Sequence, residues 1–231
     1  MSKVYTPIDP VRLGRVVVAA VGVQIVAELL LTLAHAYALT GPGQAFIDED
    51  LRSSDLGVFL TSVFYLATYV VGGFIALKWI YRVNRNAHAF ARGLSISPPW
   101  AVGWYFVPIA TLWKPYEAMS EAWQATERPH AWRTAPKPAF LGWWWAAWLI
   151  SNFVGGLANA VSKITDDIAT NSAVVIVGCL ASIVADAFFI RVVNRLSSLQ
   201  QTQINFGMFD EPAEAPGLPP LGGGVAEPQG A

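Results

Sequence analysis

The 231-residue chain is 54% hydrophobic and only 13% charged, with a formal net charge of −1 and a mean hydropathy of +0.42. An ordinary soluble domain carries roughly a quarter charged residues, so this composition sets the chain apart from soluble domains and points to a helical membrane protein. Cys179 is the single cysteine, which excludes an internal disulfide, and His35, His88 and His130 sit on separate segments without zinc-ligand spacing.

Residues 1–15 read as a short cytoplasmic lead containing Pro7 and Pro10. A spanning helix needs about 20 mostly apolar residues, and four segments qualify: Val16 to Leu39, Leu56 to Ile80, Phe140 to Val161 and Ala173 to Val193. The alanines around His35 resemble a signal-peptide cleavage site. The first apolar run is nevertheless longer than the ~7–15 residues of a signal core, and it carries Gln24 and Glu28, which favours an uncleaved helix. An acidic loop, 40–55, follows it.

All but Arg52 and Lys163 of the fifteen basic residues fall before the first span, between the second and third, or at the end of the fourth. By the positive-inside rule these regions and both termini are expected in the cytoplasm. The second helix is expected to continue beyond Ile80 and to break at Gly93. Its end, with Arg82, Arg85 and Asn86, resembles the end of the fourth span, with Arg191 and Arg195. Basic residues collect wherever a helix leaves toward the cytoplasm, so this similarity is weak evidence of an internal repeat.

Residues 98–127 have cytoplasmic flanks on both sides and should therefore enter and leave on one face. Pro98 and Pro99 suit a first helical turn. Trp100, Trp104 and Pro108 are spaced four apart, and Pro108 should kink the arm. Pro115 can open a second helix that presents Tyr116, Met119 and Trp123 on one face, with Glu117, Ser120, Glu121 and Gln124 elsewhere. All ten tryptophans lie between Trp79 and Trp148, the pattern of a one-sided aromatic belt. A re-entrant or interfacial hairpin is the expectation, with a fifth span as the alternative. Residues 128–138 read as a linker, and 202–231, rich in proline and glycine, as a disordered cytoplasmic tail.

Residues 100–116 resemble the hallmark of a bacterial multi-pass membrane family catalogued as domain of unknown function 4328. The resemblance rests on Gly103-Trp104, Pro108-Ile109, Trp113-Lys114-Pro115-Tyr116 and the downstream Trp123. It extends to Arg82, Arg85 and Asn86, and to a last helix ending in Arg195 and Gln200 or Gln201. It covers most of residues 15–201 and departs at Thr111, where asparagine is common in the family. It implies a bacterial cytoplasmic-membrane location but no activity.

Ionisable groups inside spans are functional candidates. Gln24 and Glu28 share one face of the first span and Asn152 and Asn159 one face of the third, while Asp186 lies in the fourth. Together they are a candidate polar path. Their alternative role is hydrogen bonding between helices, with close packing at Gly72/Ala76, Gly156/Ala160 and Gly178/Ser182.

No phosphate loop, nucleophile elbow or zinc-protease motif is present, so no enzyme activity and no cofactor is expected. Basic residues are confined to membrane flanks, which argues against nucleic acid as a partner. The expected class is an all-α integral membrane bundle of four spans plus the hairpin. Its expected role is a scaffold or partner-binding protein in contact with the bilayer and with a membrane-protein partner or a second copy. The alternative is a small transporter or channel component using Glu28 and Asp186.

Overall fold

A computed structural model describes residues 5–40, 55–165 and 167–209. Every regular element among them is helical: α1 (Val11–Ala38), α2 (Asp55–Phe90), α3 (Pro98–Gly103), α4 (Lys114–Glu127), α5 (Ala139–Val161) and α6 (Ile168–Phe209), with single 3-10 turns at Trp104–Phe106, Ala110–Leu112 and Trp132–Thr134. The acidic loop and the residues from 210 onward lie outside the described residues. Of the disordered tail expected over 202–231, residues 202–209 are instead helical, because α6 runs on to Phe209.

Three helices are long and apolar enough to cross a membrane, over Val11–Tyr37, Tyr65–Phe90 and Ala169–Gly207. The helix expected over 140–161 is present as α5, with 23 residues and no charged side chain. It does not reach the same apolarity, because Trp143, Trp144, Trp145 and Trp148 are amphipathic and Asn152 and Asn159 are polar.

α6 is the central element: it packs against α5 and α1 over long stretches and touches α2 and α4. Its start is capped by Asp167, whose carboxylate accepts the Thr170 backbone N–H at 2.8 Å. The bonds from the Thr170 side chain and backbone hold that carboxyl below its ordinary range.

Burial is concentrated at the end of the bundle that carries the arginines. There Val17, Trp79, Val83, Ala118, Met119, Ala122, Leu141, Trp144, Phe189, Val192 and Leu196 form one cluster. Side chains of the larger kinds each contribute about 1.5–3 kcal/mol when taken out of water. Toward the far end the helices turn apolar side chains outward, including Leu30, Leu33, Leu66, Phe74, Phe153 and Val177.

α2 ends at Phe90, and Gly93 follows with φ +73°, a backbone conformation glycine adopts without steric cost. The break expected at this glycine is therefore present.

Candidate functional site

The residues singled out in the sequence fall into two groups. The first lies at the arginine-bearing end, where α2, α4, α6 and the lead meet. Asn86 is fully buried. Its Nδ2 donates to Ile8 O at 2.7 Å and to Gln200 Oε1 at 2.9 Å, and its Oδ1 accepts the Ile8 N–H at 2.9 Å. Gln200 Nε2 donates to Val83 O at 2.9 Å and to Thr126 Oγ1 at 3.2 Å. The Thr126 hydroxyl donates to Ala122 O at 2.7 Å. One connected network thus ties residue 8, two long helices and α4 together, and burial strengthens each bond in it. The resemblance had pointed to Asn86 and to Gln200 or Gln201, and Gln200 is the one in the network, whereas Thr126 carried no sequence signal. Arg82 reaches Asp9 O at 3.1 Å. Arg191 lies over the Phe140 ring. Arg195 is exposed.

The family-motif hairpin is built around this lock. Its first arm is shorter than the spacing of Trp100, Trp104 and Pro108 implies. α3 stops at Gly103 and one 3-10 turn follows, because the residue before a proline is held extended, as Val107 is with φ −96° and ψ 114°. Trp100 and Trp104 still meet, with ring centroids 4.6 Å apart. The chain reverses at Pro108-Ile109, where the Ala110 N–H donates to Pro108 O at 2.7 Å. Ile109 sits at φ 65°, the centre of a positive-φ γ-turn, which is strained for a β-branched residue. The Thr111 hydroxyl donates to Tyr105 O at 3.4 Å across the loop.

Pro115 opens α4 as expected, but the buried face differs. Ala118, Met119, Ala122, Ala125 and also Ser120 and Gln124 are buried, while Tyr116 and Trp123 are half-buried. Small alanines let α4 approach α2 closely. Gln124 is drawn inward because its amide donates to Ala135 O. That bond also pins the expected linker, together with Trp132 Nε1 to Arg92 O at 3.1 Å and Arg133 to Gly93 O at 3.0 Å. Glu121 accepts the backbone N–H groups of Ser95 and Ile96 at 3.0 and 3.2 Å and so clamps the α2–α3 loop.

The hairpin leans on α5. Trp145 Nε1 donates to Leu112 O at 2.9 Å, and Tyr105 meets the edges or faces of Trp145 and Trp148 at 6.4 and 6.0 Å. The tip points outward: Phe106 and Ile109 are each 72% exposed, and Trp100, Leu112 and Trp113 about half.

The tryptophans do not all form a belt. Trp79, Trp144 and Trp145 are core residues, linked through Phe189 by ring contacts of 5.9 and 5.5 Å and by the 5.5 Å Trp144–Trp145 contact. Trp79 Nε1 also donates to Ser197 Oγ at 2.9 Å.

The second group lies on the α1–α6 seam. Glu28 is 1% exposed, and Ser182 and Gln24 face its carboxyl. Asp186, one turn from Ser182, lies within the field of Glu28. Farther out, Thr32 faces Cys179, and His35 Nδ1 lies 3.1 Å from Ser172 Oγ. Asn152 and Asn159 do not join this group. Both are exposed on α5, and Asn152 Nδ2 donates to its own helix at Trp148 O. Of the glycines in the small-residue pairs, Gly178 lies against a neighbouring helix, at Val154, while Gly72 and Gly156 face open space. The two similar helix ends also differ: Asn84 is buried and Asn194 exposed.

A family model described as Domain of unknown function (DUF4328) matches residues 43–198. The chain belongs to this family. The DUF4328 match takes in the hairpin, the clamp of Glu121 and the Asp186 side of the seam. It leaves α1, with Gln24 and Glu28, outside, and is narrower at both ends than the resemblance over 15–201. Nothing among curated proteins and nothing among solved structures matches the chain.

Proposed function

We propose that this chain is a four-span protein of the bacterial cytoplasmic membrane that works as a membrane-embedded scaffold, holding a partner through its apolar hairpin. α5 is the additional span: its 23 residues extend about 35 Å at 1.5 Å per residue, enough for a ~30 Å hydrocarbon core. The side holding Arg12, Arg82, Arg133 and Arg195 is cytoplasmic by the positive-inside rule, and both termini lie there.

The observation that carries the reading is the hairpin tip. Leu112 is bonded to Trp145 and Tyr105 packs on Trp148, positions about 9 and 13 Å along α5 from its start. An apolar tip held at that height beside a span enters the membrane from the cytoplasmic face and leaves on the same side. Its exposed Phe106, Ile109 and Trp113 are then a contact surface for lipid or for a membrane partner.

A second reading, a transporter or channel component, is supported by Glu28 and Asp186 lying together on the α1–α6 seam. Against a continuous path, Val17, Val21, Phe189 and Val193 close the seam on the arginine side, each at most 8% exposed.

Single cysteines at Glu49, Arg92, Arg133 and Asp167 test the topology. Labelling of Glu49 and Asp167 from outside, with Arg92 and Arg133 protected, is expected; the reverse would overturn it. A spin label at Ile109 should report a lipid environment, and a photo-crosslinker there should capture a membrane protein. Proton or ion flux in liposomes that Glu28→Gln and Asp186→Asn both abolish would sink the scaffold reading.

A further inference from the structure

α1 and α6 run antiparallel in a regular register, in which each turn forward on α1 meets a turn back on α6. Gly14 meets Ser197 and Val193 at one end. Glu28 meets Ser182, Thr32 meets Cys179, and His35 meets Ser172 toward the other. The same register sets Gln24 opposite Asp186 and Val21 opposite Phe189. The seam therefore divides into a polar upper stretch and an apolar lower one.

Within the polar stretch the chemistry is unbalanced. Glu28 Oε2 and both amide atoms of Gln24 are buried and make no hydrogen bond. Neither Glu28 nor Asp186 forms an ion pair among the described residues. The other titratable groups facing the pair are Tyr65 from α2, with Tyr69 beside it, Cys179 from α6, and His35 two turns away on α1. None of these is a fixed cation. Two carboxyl groups within a span, without a positive partner, are costly unless their charge is neutralised. Among the described residues the Gln24 amide has only the Glu28 carboxyl facing it, so its burial is costly as well.

We propose that Gln24, Glu28, Ser182 and Asp186 form a binding site for one exchangeable monovalent cation, a proton or a sodium ion, entered from the His35–Ser172 side. The donor set is all oxygen: two carboxylates, a carboxamide and a hydroxyl, which suits a hard cation. The layer of Val17, Val21, Phe189 and Val193 closes the other side, so the site takes up and releases its ion from one face. It requires that α1 and α6 span the membrane but does not require transport, and in that respect goes further than the scaffold reading.

The full chain in lipid nanodiscs provides the test, with a hydrophobic carbodiimide that modifies protonated carboxyl groups in apolar surroundings. Peptide mass spectrometry reads the modification at Glu28. Modification that sodium suppresses and potassium does not identifies a sodium site. Modification that falls as pH rises, with no effect of sodium, identifies a proton site. At a sodium site, Asp186→Asn and Ser182→Ala, which keep Glu28, should need about tenfold more sodium for the same protection, equivalent to losing one good contact. At a proton site, Asp186→Asn should need about tenfold more protons for the same modification, because a neighbouring negative charge is lost. No modification of Glu28 at any pH, sodium protection unchanged in both variants, or, without sodium protection, a pH profile unchanged in Asp186→Asn, would overturn the site. Ion protection without flux in liposomes upholds the site and removes transport. Ion protection lost in a variant whose Ile109 crosslink persists leaves the scaffold reading intact.

Discussion

At the arginine-bearing end Trp79, Met119 and Gln200 are fully buried, whereas toward the far end Leu30, Phe74 and Phe153 stand more than 60% exposed. The same helices, α1, α2, α5 and α6, supply both regions. They differ in what surrounds them. On the proposed topology the arginine-bearing end meets water, so apolar surface there gains by burial. There the helices are joined by α4 and by bonds of Trp79, Asn86 and Gln200. Toward the far end, among the described residues, no fifth element wedges between the helices. In a bilayer that outward apolar surface meets lipid, and burial against protein gains little. The core of this protein therefore sits at the arginine-bearing end, and the long helices radiate from it.

That contrast makes graded predictions. Trp79→Ala should have the largest effect, a loss of about 3–5 kcal/mol, because it empties the space between Phe189 and Ser197. Thermal unfolding of the detergent-solubilised chain measures this, and a loss no greater than for an exposed residue would break the comparison. Gln200→Ala comes next. It leaves Asn86, Val83 O and Thr126 without a shared partner, each buried, and should cost about 1–3 kcal/mol. Combining it with Asn86→Ala should cost less than the two single losses added, since both belong to one network.

Ile109→Gly acts in the opposite direction. It removes a strain of about 1–3 kcal/mol at the positive-φ turn, partly offset by the greater freedom of glycine in the unfolded chain. A melting temperature equal to or above that of the parent is expected, together with weaker lipid contact by the hairpin. A lower melting temperature would mean that the exposed Ile109 side chain is held by something in the bilayer. The smallest effect is expected at the far end: Leu30→Ala or Phe153→Ala should change stability by less than about 0.5 kcal/mol. A larger loss at either would sharpen the comparison by locating a partner surface there.

The charge asymmetry, the helices around 16–39, 56–80, 140–161 and 173–193, the break at Gly93 and the proline that opens α4 were all legible in the sequence. Each follows from local properties: hydropathy over a helix length, the φ freedom of glycine, the missing N–H of proline. Asn86 and the pair Gln200 or Gln201 were legible through the family resemblance, and Glu28 and Asp186 because a carboxyl inside an apolar run is conspicuous. The buried face of α4 was not. Periodicity placed Met119 with Tyr116 and Trp123, yet the docked face uses Ala118, Ala122 and Gln124. Helix approach distance favours alanine there, and a carbonyl at Ala135 satisfies the amide.

What the tertiary structure alone decided is which polar residues share a space. Asn152 and Asn159 looked equivalent to Gln24 and Glu28 as polar pairs on a span. The rotation of α5 about its axis turned the asparagines outward, while the register of α1 on α6 brought Glu28 to Ser182 and Asp186. Hydropathy and spacing reveal the face of a helix on which a residue lies. Only the packing of one helix on another settles what that face meets, because rotation and register are set by side-chain interlocking along the whole seam.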